Sequence, residues 1–218
     1  MLTILTMIID RMEPVPSQER MFRIHFSDGS VLKTYDYVIA DLGLFVGMEL
    51  DGEKAETLRK AAGLASAKNR AVRIVSASGV SKKELERRLS QKGESAENAK
   101  AAVSWLSELE LLDDAKTAEQ IVRSAVNKGY GAARIKQILF DKQIPKEYWE
   151  DAMSQMPEMD DAVDRFINQR LKGRSPDEKE LKRTVDALVR RGHKWQDIRD
   201  GLRRYSESLD INLEDCYE

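Results

Sequence analysis

Helical repeats are clearest at residues 128–144, which read KGYGAARIKQILFDKQI. Leu139 lies four positions before the second residue of the turn Lys142-Gln143. Similar turns, each with a leucine at the same distance, occur roughly 50 residues to either side, a spacing typical of helical repeat arrays. The chain therefore contains three copies of one unit. The other two turns are Lys92-Gly93 after Leu89 and Arg191-Gly192 after Leu188.

Apolar residues recur at fixed distances after each turn. They lie six, ten and thirteen positions beyond its second residue, on one stripe of a 3.6-residue helix. A small residue stands nine positions beyond it, where two helix backbones can approach closely. Each copy is therefore predicted to hold a helix, a turn and a second helix. The apolar residues are Ala99, Val103 and Leu106, then Trp149, Met153 and Met156, then Ile198, Leu202 and Tyr205.

A third helix is predicted in the first two copies, beginning at the acidic pairs Asp113-Asp114 and Asp160-Asp161. We interpret these pairs as helix caps, because carboxylates accept hydrogen bonds from the first backbone N–H groups and favour the positive end of the helix dipole. Neighbouring helical residues point about 100° apart, which disfavours a metal site. The repeats are predicted at about residues 79–129, 130–173 and 174–206, within a region 79–218 that ends in an acidic tail.

Residues 1–52 have the composition and alternation of β-strands instead. Strands around residues 21–26 and 31–35 flank Asp28-Gly29, a dipeptide that favours a hairpin turn. A short helical turn at 36–42 and an extended segment at 48–50 complete this part.

Residues 53–78 are predicted to form connecting helices separated at Gly63. The predicted fold is therefore mainly α: an elongated array of tandem three-helix repeats preceded by a small N-terminal antiparallel β domain.

The composition limits the class of protein. With 218 residues, 41% hydrophobic and 34% charged, the chain can bury a core and expose amphipathic helices. The net charge of −2 excludes a uniformly basic surface. The single cysteine, Cys216, excludes an internal disulfide, and residues 1–9 lack the charged start of a signal peptide. A soluble, cytoplasmic protein is predicted.

Few residues suggest catalysis. Neither His25 nor His193 has a sequence neighbour at metal-ligand spacing. His25 alternates out of phase with the apolar residues of its strand, which predicts a solvent-facing position, and His193 is predicted to be a surface or capping group. Phosphate-binding glycine loops and nucleophile motifs are absent from the sequence. We predict neither an enzyme nor a bound cofactor or metal.

Basic residues cluster on the first helix of each repeat and at the turn that follows. Taken singly, each is most simply a solvated surface residue, but recurrence at equivalent places favours a binding role. Stacked repeats would align the clusters into one cationic stripe, which suits a polyanion. The candidate residues for binding a partner or DNA are Lys82, Arg87, Arg88, Lys92, Arg134, Lys136, Lys142, Arg183, Arg190, Arg191 and Lys194.

The tryptophans divide by their position relative to the apolar stripe. Trp149 lies on the stripe and is predicted to be in the core. Trp105 and Trp195 lie off it, and they either pack between repeats or offer exposed contacts to a partner.

These repeats resemble the RecX family of regulatory proteins. The similarity is most specific in the second repeat, and the N-terminal hairpin resembles an extra domain of some bacterial members. The chain departs from the family pattern in two places: residues 77–79 stand where the family often has arginines, and Glu94 stands where it often has an aromatic residue. The matching residues are 80–85 (VSKKEL) with Leu89 and Lys92-Gly93, 111–114 (LLDD) with Ala118, and 128–131 (KGYG) with Arg134-Ile135, Leu139 and Ile144.

The resemblance implies a protein that lies in the groove of the RecA–single-stranded DNA filament. It implies slower ATP hydrolysis and strand exchange by the recombinase, and limited filament growth. We expect a monomer with weak DNA binding of its own and no membrane association.

Two alternatives remain open at this point. Recurring helix-turn-helix units are also typical of regulators of duplex DNA, although the negative net charge and the lack of an evident dimer element disfavour that function. The second alternative is an interaction scaffold that touches no nucleic acid, for which binding would not weaken as salt rises.

Overall fold

The computed structural model describes residues 6–16, 18–154, 156–158 and 160–209. Two compact units divide the chain, residues 1–112 and 113–218. The acidic tail with Cys216 and the first five residues lie outside the described part, so the predictions made for them stay predictions. Among the described residues, no helix combines the length and apolar character that a membrane span requires.

The first unit begins with strands, with one short helix among them, and continues with longer helices, and the second unit is helical in its described part. The first unit contains β1 (Met7–Pro14), β2 (Met21–Phe26), β3 (Val31–Tyr35), α1 (Asp36–Asp41), β4 (Glu49–Leu50), α2 (Gly52–Ala77), α3 (Lys82–Gln91) and α4 (Ala96–Glu108). The second contains α5 (Asp114–Asn127), α6 (Ala132–Asp141), a 3₁₀ turn (Lys146–Tyr148), α7 (Trp149–Ser154), α8 (Asp160–Leu171), α9 (Glu178–Arg190) and α10 (Trp195–Leu209).

The predicted hairpin is confirmed as part of an antiparallel sheet with strand order β3-β2-β1-β4. Gly29 takes a φ of +80° in the turn, where Asp28 Oδ1 accepts a hydrogen bond from the Ser30 amide at 2.9 Å. Ile24 and Phe26 are buried, as their alternation along β2 predicts, in a core shared with α2. The mainly α fold with a small N-terminal β domain is therefore confirmed.

The predicted break at Gly63 is wrong, because α2 is one continuous helix of 26 residues. A Cβ atom on Gly63 would lie 2.6 Å from Asn98 Nδ2 of α4. The glycine thus lies where the side chain of Asn98 packs against α2, and it does not break the helix. Buried Ala67 and Ala71 continue the small face of α2 in the same core cluster as α3 and α4.

The first repeat begins at the predicted cap: Ser81 Oγ accepts a hydrogen bond from the Glu84 amide at 3.0 Å. The leucines of α3 are fully buried beside the apolar residues of α4. Trp105 packs partly buried against this cluster, with Lys68 Nζ 4.8 Å from its ring centroid.

The apolar stripe predicted for the second and third repeats is confirmed by the burial of Leu139, Leu188, Ile198 and Leu202. Trp149 is half-buried in the core of the second repeat, and its indole N–H donates to the carbonyl oxygen of Ile144 at 3.0 Å.

The boundary between the two units lies inside the first predicted repeat, between Leu112 and Asp113. Helix α5 packs with α6 and α7, since Ala118 and Val122 share a core cluster with Ile135. Its predicted cap is confirmed, because Asp113 accepts a hydrogen bond from the Lys116 amide at 3.1 Å. In the first unit, α2 packs against α3 and α4 as the third helix of the group.

Candidate functional site

Two of the four candidates in the first unit pair with one carboxylate. Glu84 is buried, and its Oε1 lies 2.5 Å from Arg88 and 3.6 Å from Arg87. Lys82 also takes part in an interaction within the chain. Lys92 is exposed, and among the described residues its side chain has neither a hydrogen bond nor an ion pair.

In the second unit, the second and third repeats meet at the start of α6 and the end of α9, which we call the repeat junction. The Gly131 amide donates to the carbonyl oxygen of Arg191 at 2.8 Å, and the Ala133 amide donates to that of Gly192 at 3.2 Å. A Cβ atom on Gly131 would lie 2.2 Å from the Gly192 carbonyl oxygen. Two glycines therefore let two turns join backbone to backbone.

Cationic side chains surround this junction, and Lys194 shares a shallow depression there with the carboxylates of Glu158, Asp160 and Asp197. Arg134 lies in the first turn of α6, which has no acidic residue, Arg190 ends α9, and Lys194 follows the turn. Each is exposed, and none forms a side-chain hydrogen bond or ion pair among the described residues. A cation in the first turn of a helix opposes the helix dipole at a cost of about 0.3–1 kcal/mol, so local helix stability does not explain Arg134.

Three other candidates of the second unit differ in their surroundings. Lys136 on α6 and Arg183 on α9 are exposed and have no side-chain partner in the described part of the chain. Lys142 is half-buried and takes part in an interaction within the chain.

Arg191 contributes to the structure of the junction itself. Its Nη1 donates to the carbonyl oxygen of Lys128 at 2.8 Å, and the guanidinium lies over Phe166 at 4.7 Å and Tyr130 at 5.7 Å. Trp195, at the start of α10, is 47% exposed, so of the two interpretations its exposure favours a contact surface for a partner. The alignment of the clusters of all three repeats into one stripe stays a prediction.

The surface position predicted for His193 is wrong, because the residue is buried, with 7% of its surface exposed. Its Nε2 lies 3.0 Å from the Gly129 carbonyl oxygen, and since a carbonyl only accepts, this nitrogen carries the proton. Nδ1 is buried without a hydrogen-bond partner in the described part. The hydrogen-bond partner of His193 is 64 positions away along the chain, so local periodicity does not reveal this contact.

We expect acid to weaken the repeat junction through His193. Burial lowers the pKa of His193 below its ordinary value of 6.5, against the opposing effect of the Gly129 carbonyl. As the pH falls, the unfolded chain therefore binds a proton at this histidine before the folded chain does. The contribution of the neutral His193 to the free energy of unfolding is complete above pH 6.5, and it is lost as the pH falls towards the folded pKa. Chemical denaturation at several pH values between 7 and about 5.5 measures this loss in the free energy of unfolding.

His193→Gln is the matched control, because the amide can still donate to Gly129 but does not titrate. The free energy of unfolding of this variant should vary less with pH over that interval. Parallel curves for the two proteins would show that His193 does not contribute.

The described residues contain no group of three or more histidine, cysteine, aspartate or glutamate side chains that could hold a metal ion. His25 is partly exposed on β2, with Nε2 3.2 Å from Glu13 Oε1. Two cations that the sequence reasoning did not select, Arg70 and Arg73 on α2, lie beside Arg88 and Lys92. Their spacing of one helical turn was the available signal.

Comparisons with known proteins agree with this architecture. A family model described as "RecX, second three-helix domain" matches residues 113–153, the segment that holds α5, α6 and most of α7. The regulatory protein RecX of Vibrio parahaemolyticus is 30% identical over 135 residues, 61% of this chain and 87% of that protein. RecX of Escherichia coli strain SE11 is 30% identical over 155 residues, 64% of this chain and 91% of that protein.

Solved structures show the same fold. The crystal structure of a regulatory protein RecX superposes with a TM-score of 0.61 and 18% identity, over 94% of this chain and 98% of that one. RecX from Lactobacillus salivarius superposes with a TM-score of 0.57 and 20% identity, over 68% of this chain and 97% of the other.

Proposed function

Because this chain belongs to the RecX family of regulatory proteins, we propose that it binds the RecA filament on single-stranded DNA in the cytoplasm and inhibits ATP hydrolysis and strand exchange. It acts by binding rather than by catalysis. The cations at the repeat junction contact DNA phosphates or acidic surface of the recombinase.

The observation that carries this proposal is the set of exposed, unpaired cations at the repeat junction. Arg134, Arg190 and Lys194 belong to two repeats that are joined by backbone hydrogen bonds, so their spacing is held by the fold. Unpaired guanidinium and ammonium groups suit phosphate oxygens, which accept charge-assisted hydrogen bonds. Arg191 stabilises this arrangement from within.

Binding to recombinase filaments at several salt concentrations tests the proposal. Contacts with phosphates release counterions, so the logarithm of the binding constant should fall linearly with the logarithm of the salt concentration. An affinity that is independent of salt would favour a scaffold that binds protein alone. Sequence-specific, nanomolar binding to duplex DNA without recombinase would favour a helix-turn-helix regulator instead.

A further inference from the structure

A cationic cleft lies within the first unit, between the sheet and helices α2 and α3. It has a volume of about 460 Å³, and Met21 and Tyr35 of the sheet form one side of it. Four cations line the cleft, and none of its lining residues is acidic. These cations are Arg70 and Arg73 of α2, Arg88 of α3 and Lys92 of the turn after α3.

Two of the arginines are held by buried carboxylates outside the lining. Arg70 Nε donates to Glu94 Oε1 at 2.8 Å, and the Glu94 side chain is only 8% exposed. Arg88 Nε donates to Glu84 Oε1 at 2.7 Å, and the Glu84 side chain is 6% exposed. A guanidinium carries five N–H donors, so an arginine oriented in this way keeps donors for a ligand.

Glu94 is itself held in place by a second contact, because Ser66 Oγ donates to the same oxygen at 2.8 Å. Glu94 therefore fixes the direction of Arg70 on α2.

The other two cations have no counter-ion. Arg73 and Lys92 are exposed, and neither forms a side-chain hydrogen bond or ion pair in the part of the chain that the structure describes. Two unneutralised positive charges thus face one cleft. Like charges in one place raise the free energy of the empty protein, and an anion between them removes that repulsion.

We propose that this cleft binds phosphate groups of a single nucleic-acid strand. Arginine forks match phosphate oxygens in a bidentate manner, and a cleft of this volume is in the range of small-ligand sites. The apolar side of the cleft, at Met21 and Ile74, suits the sugar between phosphates. The choice of a nucleic-acid strand over a free phosphorylated molecule rests on the proposed function.

Binding of a short labelled oligothymidylate to the full chain, without recombinase, tests the cleft. Fluorescence anisotropy should give the double variant Arg73→Gln, Lys92→Gln an affinity about tenfold lower than the unmodified chain, since each exposed charge contact contributes roughly 0.7 kcal/mol. The slope of log K against log salt should fall by about 1.4, because each phosphate contact on a single strand contributes about 0.7. Both residues are exposed and unpaired, so the fold should be retained.

The matched control is the double variant Lys33→Gln, Lys100→Gln. It removes the same charge from exposed, unpaired positions of the same unit outside the cleft. It should leave the slope nearly unchanged. Equal losses in both double variants, or an unchanged slope for Arg73→Gln, Lys92→Gln, would overturn the proposal.

Thymidine monophosphate and inorganic phosphate, titrated into the same proteins, distinguish the source of the phosphate. Both should bind far more weakly than the oligonucleotide. If the mononucleotide bound as tightly and depended equally on Arg73 and Lys92, the ligand would be a free nucleotide and the proposal of a strand would be wrong. The oligonucleotide experiment contains no recombinase, so a negative result in it does not contradict binding to the filament. In the same way, a failure to bind the filament would not contradict oligonucleotide binding at the cleft.

Discussion

Gly131→Ala should lower the free energy of unfolding by about 3 kcal/mol, the upper part of the range for single substitutions. The added Cβ would lie 2.2 Å from the carbonyl oxygen of Gly192 and 2.5 Å from the amide nitrogen of His193. Both are backbone atoms, so relief of the clash requires the two turns to separate. Separation breaks the hydrogen bonds that the Gly131 and Ala133 amides donate across the repeat junction.

Urea denaturation of the full chain measures this loss. Gly52→Ala is the control, since it also places a methyl group at the start of a helix, but with no atom within 4 Å of the new Cβ. That substitution should be neutral or slightly stabilising because it restricts the unfolded chain. Equal stability of the two variants would contradict the close contact at the repeat junction.

Removal of three unpaired cations from the second unit should weaken binding to the recombinase filament about 30-fold. The variant carries Arg134→Gln, Lys136→Gln and Arg190→Gln. An exposed charge contact contributes roughly 0.7 kcal/mol, so three contribute about 2 kcal/mol, and each 1.4 kcal/mol changes the affinity tenfold. Single substitutions should cost only about threefold each. Fluorescence anisotropy of labelled filaments measures the affinity of the triple variant and of each single variant.

A charge-matched variant separates position from net charge. Arg123→Gln, Lys146→Gln and Arg170→Gln remove the same charge from exposed, unpaired positions of the same unit. This variant should bind within about twofold of the unmodified chain, because screening weakens charges that make no direct contact. Comparable losses in both triple variants would show that net charge alone attracts the filament.

The repeats were predictable from sequence because their information is local. Each repeat signal falls within about 20 residues: a leucine such as Leu139, a turn, and an apolar stripe on the next helix. Helical periodicity predicts which of these residues face inward. The hairpin was predictable for the same reason, since Asp28-Gly29 lies directly between two alternating segments.

The errors arose where distant residues decide the outcome. Gly63 weakens a helix by about 1 kcal/mol relative to alanine, which favours a break, yet α2 continues through it because its flanking residues pack against the sheet on one side and against α3 and α4 on the other. His193 is buried because the turn before α6 covers it. Arg70 joins Arg88 at one cleft only after α2 and α3 have packed.

ATP hydrolysis by RecA on single-stranded DNA, with and without this protein, tests filament binding and inhibition most directly. We predict that saturating amounts of the unmodified chain lower the steady-state rate, and that higher concentrations of the Arg134, Lys136 and Arg190 variant are needed for the same effect. An unchanged rate at saturation, with the filament intact and the protein folded, would contradict the account.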